Sequence, residues 1–175
     1  MSKRAGEFIT LDELLAEVGV DAARWFFASR GHTSSIDFDI ELAKKQSNEN
    51  PVYYVQYAHA RIASILRKAA EAGLSPAASV AGRLGPDAPA EAALARAIVR
   101  LPEVVEHAVL AEETEGVTAY ATELATAFHA FYRDARVVDV DAPERSAARL
   151  AVARAAQITL ANTLGLLGIS APESM

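Results

Sequence analysis

Residues 48–73, NENPVYYVQYAHARIASILRKAAEAG, constrain the fold more than any other stretch. Asn50 is a favoured N-cap, and Pro51 suits the first helical position, where its missing N–H breaks no bond. Gly73 is a stop signal. The spacing predicts one helix from Pro51 to about Ala72. Projected at about 100° per residue, Val55, Ala58, Ile62, Ile65, Leu66 and Ala69 share one arc, the core stripe. The opposite face carries Asn50, Tyr53, Tyr57, Arg61, Ser64 and Lys68.

The rest of the chain punctuates in the same way. Thr10 and Glu13 form a capping box ahead of Leu11, Leu14, Leu15 and Val18, with Gly19 as the stop. Asp21 reads as the cap of a second helix carrying Ala22, Trp25 and Phe26, ended by Gly31. The alternation in SSIDFD predicts a short extended piece. Asp39 then caps a short helix through Leu42 and Ala43. Residues 74–89, rich in Ala, Gly and Pro, predict an exposed connection. A helix from Pro89 to Leu101 follows, then one starting at Pro102. Glu115-Gly116 reads as a break before a helix over Val117–Arg136. The last helix is expected over Pro143–Leu167, closed by Gly168. No internal repeat is present. Five or six helices with short connections predict an all-α helical bundle.

Composition narrows the function classes. With 51% hydrophobic and 23% charged residues, the 175-residue chain is expected to fold around a core. It has no cysteine, which removes disulfides, thiolate metal sites and cysteine nucleophiles. That usage fits a reducing, cytoplasmic setting. No apolar run approaches membrane-spanning length, and no apolar signal core follows the basic start. A net charge of −6 argues against indiscriminate nucleic-acid binding but permits a local basic surface that docks a shaped RNA.

Two clusters carry chemistry. On the polar face of the 51–72 helix, Tyr rings suit stacking on unpaired bases, and Arg and Lys suit phosphates. Periodicity equally allows this face to be a second packing surface with satisfied Tyr hydroxyls. Leading into and through AFHAFYRDARV, Val117, Ala121, Leu124, Phe128, Phe131 and Ala135 form an apolar stripe, with Tyr132 at its edge beside His129 and Arg136. Tyr132 reads as a core-edge residue or a base-stacking one. His59 and His129 lack a second ligand at metal spacing and read as structural or surface residues, so no metal site is expected. Arg145, Arg149 and Arg154 read as a solvated face. Asp37 and Asp39 have no nucleophile or base beside them, and a cap suffices.

Taken together, MSKRAGEFITLDELLAEVGVDAARWFFASR, DFDIELAKKQSNENPVYYVQYAHARIASI, FHAFYRDARV and LGLLGISAPESM resemble the C-terminal part of bacterial-type arginyl-tRNA synthetases. The likeness runs through essentially the whole chain, in the family's order. VDAAR matches the Asp-Ala-Leu-Arg element after which that anticodon-binding fold is named, with Ala23 in place of Leu.

The resemblance implies a class I synthetase anticodon-binding bundle over residues 48–175, preceded by a small helical connecting unit over 7–47. Residues 1–6 would be the remnant of a Lys-Met-Ser-Lys-Ser-type catalytic loop. In that loop Ser2 and Lys3 would contact ATP, with Lys3 as the charge on the departing pyrophosphate. The preceding catalytic domain is not matched, so the chain by itself is expected to form no aminoacyl-adenylate and to hold no ATP tightly. Residues 1–6 are expected to be mobile, with order beginning at Thr10. The implied partner is the anticodon stem-loop of tRNA(Arg), with the catalytic domain as a second partner if supplied separately. A monomer is the plain expectation. The implied anticodon residues are Tyr57, Tyr132 and Met175, with Asn50 and Arg61 as weaker carry-overs. Ser174 stands where the family usually has Arg, which removes one phosphate contact and predicts looser anticodon affinity. The competing readings are a stand-alone RNA- or protein-binding module derived from this domain, and an unrelated structural bundle. Clustering of Tyr57, Tyr132 and Met175 discriminates against the last, because Tyr57 and Met175 lie 118 residues apart along the chain.

Overall fold

The computed structural model describes residues 9–34, 37–80 and 89–175. Ser2 and Lys3, the remnant loop over 1–6 with its expected mobility, and part of SSIDFD and of the 74–89 connection lie outside the described residues. Among the described residues there are eight helices and no strand. They are α1 (Leu11–Val18), α2 (Val20–Ala28), α3 (Ile40–Lys44), α4 (Pro51–Glu71), α5 (Pro89–Val99), α6 (Leu101–Ala111), α7 (Glu115–Asp134) and α8 (Pro143–Leu166). No helix among them is long and apolar enough to cross a membrane.

Local chemistry sets most boundaries. The Thr10 hydroxyl accepts from the Glu13 N–H at 3.2 Å, and the Glu13 carboxylate accepts from the Thr10 N–H at 2.7 Å, which completes the capping box. Asp39 accepts from the Leu42 N–H at 2.9 Å. Gly19, at φ +80°, both ends α1 and starts α2, a left-handed position that other residues adopt at a cost.

Three expectations change. Asp21 does not cap α2, because Gly19 already occupies that position; Asp21 lies in the helix's first turn and points its carboxylate elsewhere. Glu115-Gly116 is not the break itself, since α7 already begins at Glu115 and takes in both residues. The chain turns earlier, at Glu112, whose φ of +56° ends α6. Arg149 belongs to no solvated face: its Nε donates to the buried Glu91 carboxylate at 2.6 Å, and its Nη1 donates to the Arg136 carbonyl at 3.0 Å.

α7 packs against α4, α5, α6 and α8, and α8 also packs against α4 and α5. Phe128, Phe131, Ile62, Leu124, Leu160 and Leu164 are fully buried between them. α8 is rich in small residues, and its buried Ala148, Ala153 and Ala156 let neighbours approach closely. Tyr120 donates to the Ala97 carbonyl at 2.8 Å, and burial pushes its phenol up to about 12. α1, α2 and α3 pack on one another, and α2 seats this group on α4 and α7. The predicted core stripe of α4 holds: Val55, Ala58 and Ile62 are fully buried, and Ile65 and Ala69 nearly so.

The Glu91–Arg149 pair staples α5 to α8. Removing one partner strands the other's charge in a place water reaches poorly. Glu91→Ala is therefore expected to lower stability by roughly 3 kcal/mol in urea unfolding, and a Glu91→Leu/Arg149→Leu double variant to recover most of it. A loss within error for Glu91→Ala would remove the pair from the account.

Candidate nucleic-acid interface

Tyr57 and Arg61 are one turn apart on α4, so they share a face. Arg61 Nη1 donates to the Tyr57 hydroxyl at 2.9 Å. Its guanidinium carbon lies 4.4 Å from the Tyr132 ring centroid and 5.7 Å from that of Tyr57. One cation thus bridges a ring on α4 and a ring on α7. Tyr53 lies parallel to Tyr57, with 6.4 Å between centroids and 4° between planes. His129 backs the cluster, 4.9 Å from Tyr54 and 6.0 Å from Tyr57.

Beside these rings is an open cavity of ≈ 340 Å³, within the ~300–1,000 Å³ range of small-ligand sites. Tyr57, Arg61 and Tyr132 line it from the helices, and Glu173, Ser174 and Met175 line it from the tail. Arg67 and Lys68 add positive charge at the same wall. Met175 is 53% exposed, so it closes the rim without plugging the cavity.

The tail reaches this position because side chains catch it. With no helix or strand to pair in, its backbone groups take partners from α4 and α2. The buried His59 holds Pro172: its Nδ1 lies 2.8 Å from that carbonyl, so Nδ1 carries the proton and donates. Arg67 donates to the Glu173 carbonyl at 3.4 Å. Gln56 Nε2 donates to the Ser170 carbonyl at 3.0 Å and to Asp21 at 2.8 Å.

Of the residues singled out from sequence, Tyr57, Arg61, Tyr132 and Met175 meet around one cavity. Asn50 is elsewhere. It is 3% exposed, and its amide donates to the Ala43 and Lys45 carbonyls at 2.9 Å each, which locks the turn between α3 and α4. It borders a separate hollow of ≈ 460 Å³ that Tyr53 also lines and that contains none of the other four. Ser2 and Lys3 lie outside the described residues. Periodicity left burial or binding open for the polar face of α4, and the outcome is mixed. Tyr53, Tyr57, Arg61 and Ser64 are half-buried, and Lys68 is exposed. Asp21, Gln56, His59 and Ser170, which place the tail, carry no motif that spacing alone reveals. Among the described residues no group of three or more His, Cys, Asp or Glu side chains could hold a metal.

Residues 55–175 match the family model described as DALR anticodon binding domain. All 175 residues are 51% identical to part of an arginine-tRNA ligase from Geobacillus thermodenitrificans and 52% identical to part of one from Dehalococcoides mccartyi. The chain spans 31% of the length of each of these curated relatives. Among solved structures, an arginyl-tRNA synthetase from Thermus thermophilus superposes at a TM-score of 0.72 and 32% identity. That superposition covers 91% of this chain and 27% of the other. A Campylobacter jejuni chain described as an arginyl tRNA synthetase superposes at 0.82 and 28% identity, covering 99% and 37%.

Burial first, and then the Arg61 guanidinium, hold the His129 imidazole below its ordinary value of 6.5. Its Nε2 is buried without a hydrogen-bond partner among the described residues. A histidine that the fold keeps neutral stabilises it above the unfolded pKa, and that contribution fades as pH falls through and below it. Urea stability is expected to drop between about pH 7 and pH 5, and His129→Phe to flatten that slope. An unchanged slope would show that His129 does not titrate against the fold.

Proposed function

The chain belongs to the DALR anticodon-binding domain family, and we propose that its cavity receives an unpaired base of the tRNA(Arg) anticodon loop. On this proposal it is the tRNA-binding portion of an ATP-dependent arginine-tRNA ligase. The observation that carries the proposal is the meeting of Tyr57, Arg61, Tyr132 and Met175 across 118 residues of chain. Those side chains have little in common as a folding core, since all four remain partly or wholly exposed.

The chemistry suits a flipped-out base. Aromatic rings and a guanidinium plane offer stacking surfaces. Tail backbone groups at the rim supply directional hydrogen bonds to a base edge, and the methionine side chain adapts its shape to an apolar contact. Arg67 and Lys68 supply charge for the phosphates on either side. The overall charge of −6 keeps the contact local, so nonspecific RNA gains little. A protein contact with the catalytic part of such a ligase is supported by a second surface. α1, α2 and the residue preceding the Thr10 cap expose Ile9, Leu11, Val20 and Phe27.

Titration with hairpin RNAs differing only in the anticodon triplet tests the proposal. Arginine-anticodon hairpins are expected to bind more tightly than the others, with affinity falling as salt rises. Tyr57→Ala and Tyr132→Ala should each weaken binding about ten-fold or more, the magnitude of one lost base stack. Ser174→Arg should tighten it modestly by adding a phosphate contact. Binding that ignores the anticodon and both tyrosine substitutions would reject the proposal.

A further inference from the structure

α8 hands over to the tail through a Schellman turn. Gly168 adopts φ +66°, the Ile169 N–H donates to the Leu164 carbonyl at 2.9 Å, and the Gly168 N–H donates to the Gly165 carbonyl at 3.0 Å. Over this turn lies the guanidinium of Arg24, close enough that a Cβ at residue 168 would clash with its Nη1. One turn earlier on α2, Asp21 Oδ1 accepts from the Ser170 N–H at 3.2 Å, and Oδ2 accepts from the Ser170 hydroxyl. Oδ2 also accepts from Gln56 Nε2 at 2.8 Å, and that amide in turn faces the Ser170 carbonyl. Asp21 and Arg24, the acidic and basic ends of the Asp-Ala-Ala-Arg stretch, therefore both bear on residues 168–170.

This clamp sits at the root of the tail, five residues before Met175. The outer anchors are a single imidazole bond at Pro172 and a long contact at Glu173. Asp21 is different in kind: an ionised acceptor receives backbone and hydroxyl donors of the same residue, and charge-assisted bonds of this sort are the strong ones. The first turn of α2 also places its negative charge at the positive end of the helix dipole.

We propose that Asp21 is a positioning residue for the cavity: acting through Ser170, it holds the tail along α4 and so sets where Met175 closes the rim. The consequence for RNA rests on the cavity being the anticodon-loop site, whereas the consequence for Met175 does not. Asp21 itself touches no bound base on this account.

The chain has two methionines, Met1 and Met175, so a methyl-labelled methionine spectrum reports the tail directly. In Asp21→Ala the Met175 methyl signal should narrow and move toward its position in a free peptide, with helical content by circular dichroism unchanged. The same variant should bind an arginine-anticodon hairpin about ten-fold more weakly. In a chain ending at Ile169, binding is already weak and Asp21→Ala should weaken it no further, because the tail through which it acts is gone. Asp21→Asn, which keeps the shape and one acceptor, should fall between wild type and Asp21→Ala. If Asp21→Ala costs helical content, Ser170→Ala carries the test, with a smaller shift of the same signal expected. An unmoved Met175 signal in the folded variants would overturn the proposal, as would an equal loss of affinity with and without the tail. Release of Met175 in a chain whose wild type ignores the hairpin would uphold the positioning role and reject the anticodon site instead.

Discussion

α4 buries two faces against partners of different kinds, and the remainder of the molecule follows from that. One face packs its aliphatic stripe into α7 and α8, where Val55, Ala58 and Ile62 lose all contact with water. Apolar burial is nondirectional and tolerant of small shifts. Gln56 and His59, on another side of the same helix, are buried, and their donors are met by carbonyls of the tail and, for Gln56, by Asp21 of α2. Core and cavity therefore share one helix, and the tyrosine face lies along the border between them.

That arrangement explains why the cavity is built from two interior helices and the C-terminal tail. α4 and α7 supply rings that their own packing holds rigid, with Arg61 fixed between them by a hydrogen bond and two ring faces. The tail supplies the opposite wall and is held by discrete bonds. The α2 element joins the N-terminal helices to the tail through Asp21, which links the part of the molecule that exposes Ile9, Leu11 and Phe27 to the part that holds Met175.

Local signals in the sequence were legible because their physics is local. The Thr10 capping box, the Asp39 cap, Pro51 at the start of α4 and the glycines after α4 and α8 need only a few neighbouring residues to act. The misreadings have equally specific reasons. Gly116 resembles a break, but a glycine in the first turn costs a helix little when nineteen other residues carry it. Asp21 resembles a cap, but Gly19 serves two helices at once and frees the carboxylate for the tail. Arg149 finds Glu91 at a separation of 58 residues, which no helical wheel displays. Asn50 was a weaker carry-over from the family resemblance, yet it sits where the chain enters the helix, and the α3–α4 turn takes both of its amide N–H groups. The cluster of Tyr57, Tyr132 and Met175 was named from family resemblance, while spacing alone left stacking and burial undivided. The tail anchors had no sequence signal, because irregular backbone has no period.

The central claim is that an unpaired anticodon-loop base enters the space between the Tyr57–Arg61–Tyr132 cluster and Met175. The most direct measurement places 2-aminopurine at each position of an arginine-anticodon loop in turn and reads its fluorescence on binding. Strong quenching at one anticodon position, abolished when Tyr57 and Tyr132 are both replaced by leucine, is the predicted result. Quenching that is absent at every position, or that survives loss of both rings, would contradict the account.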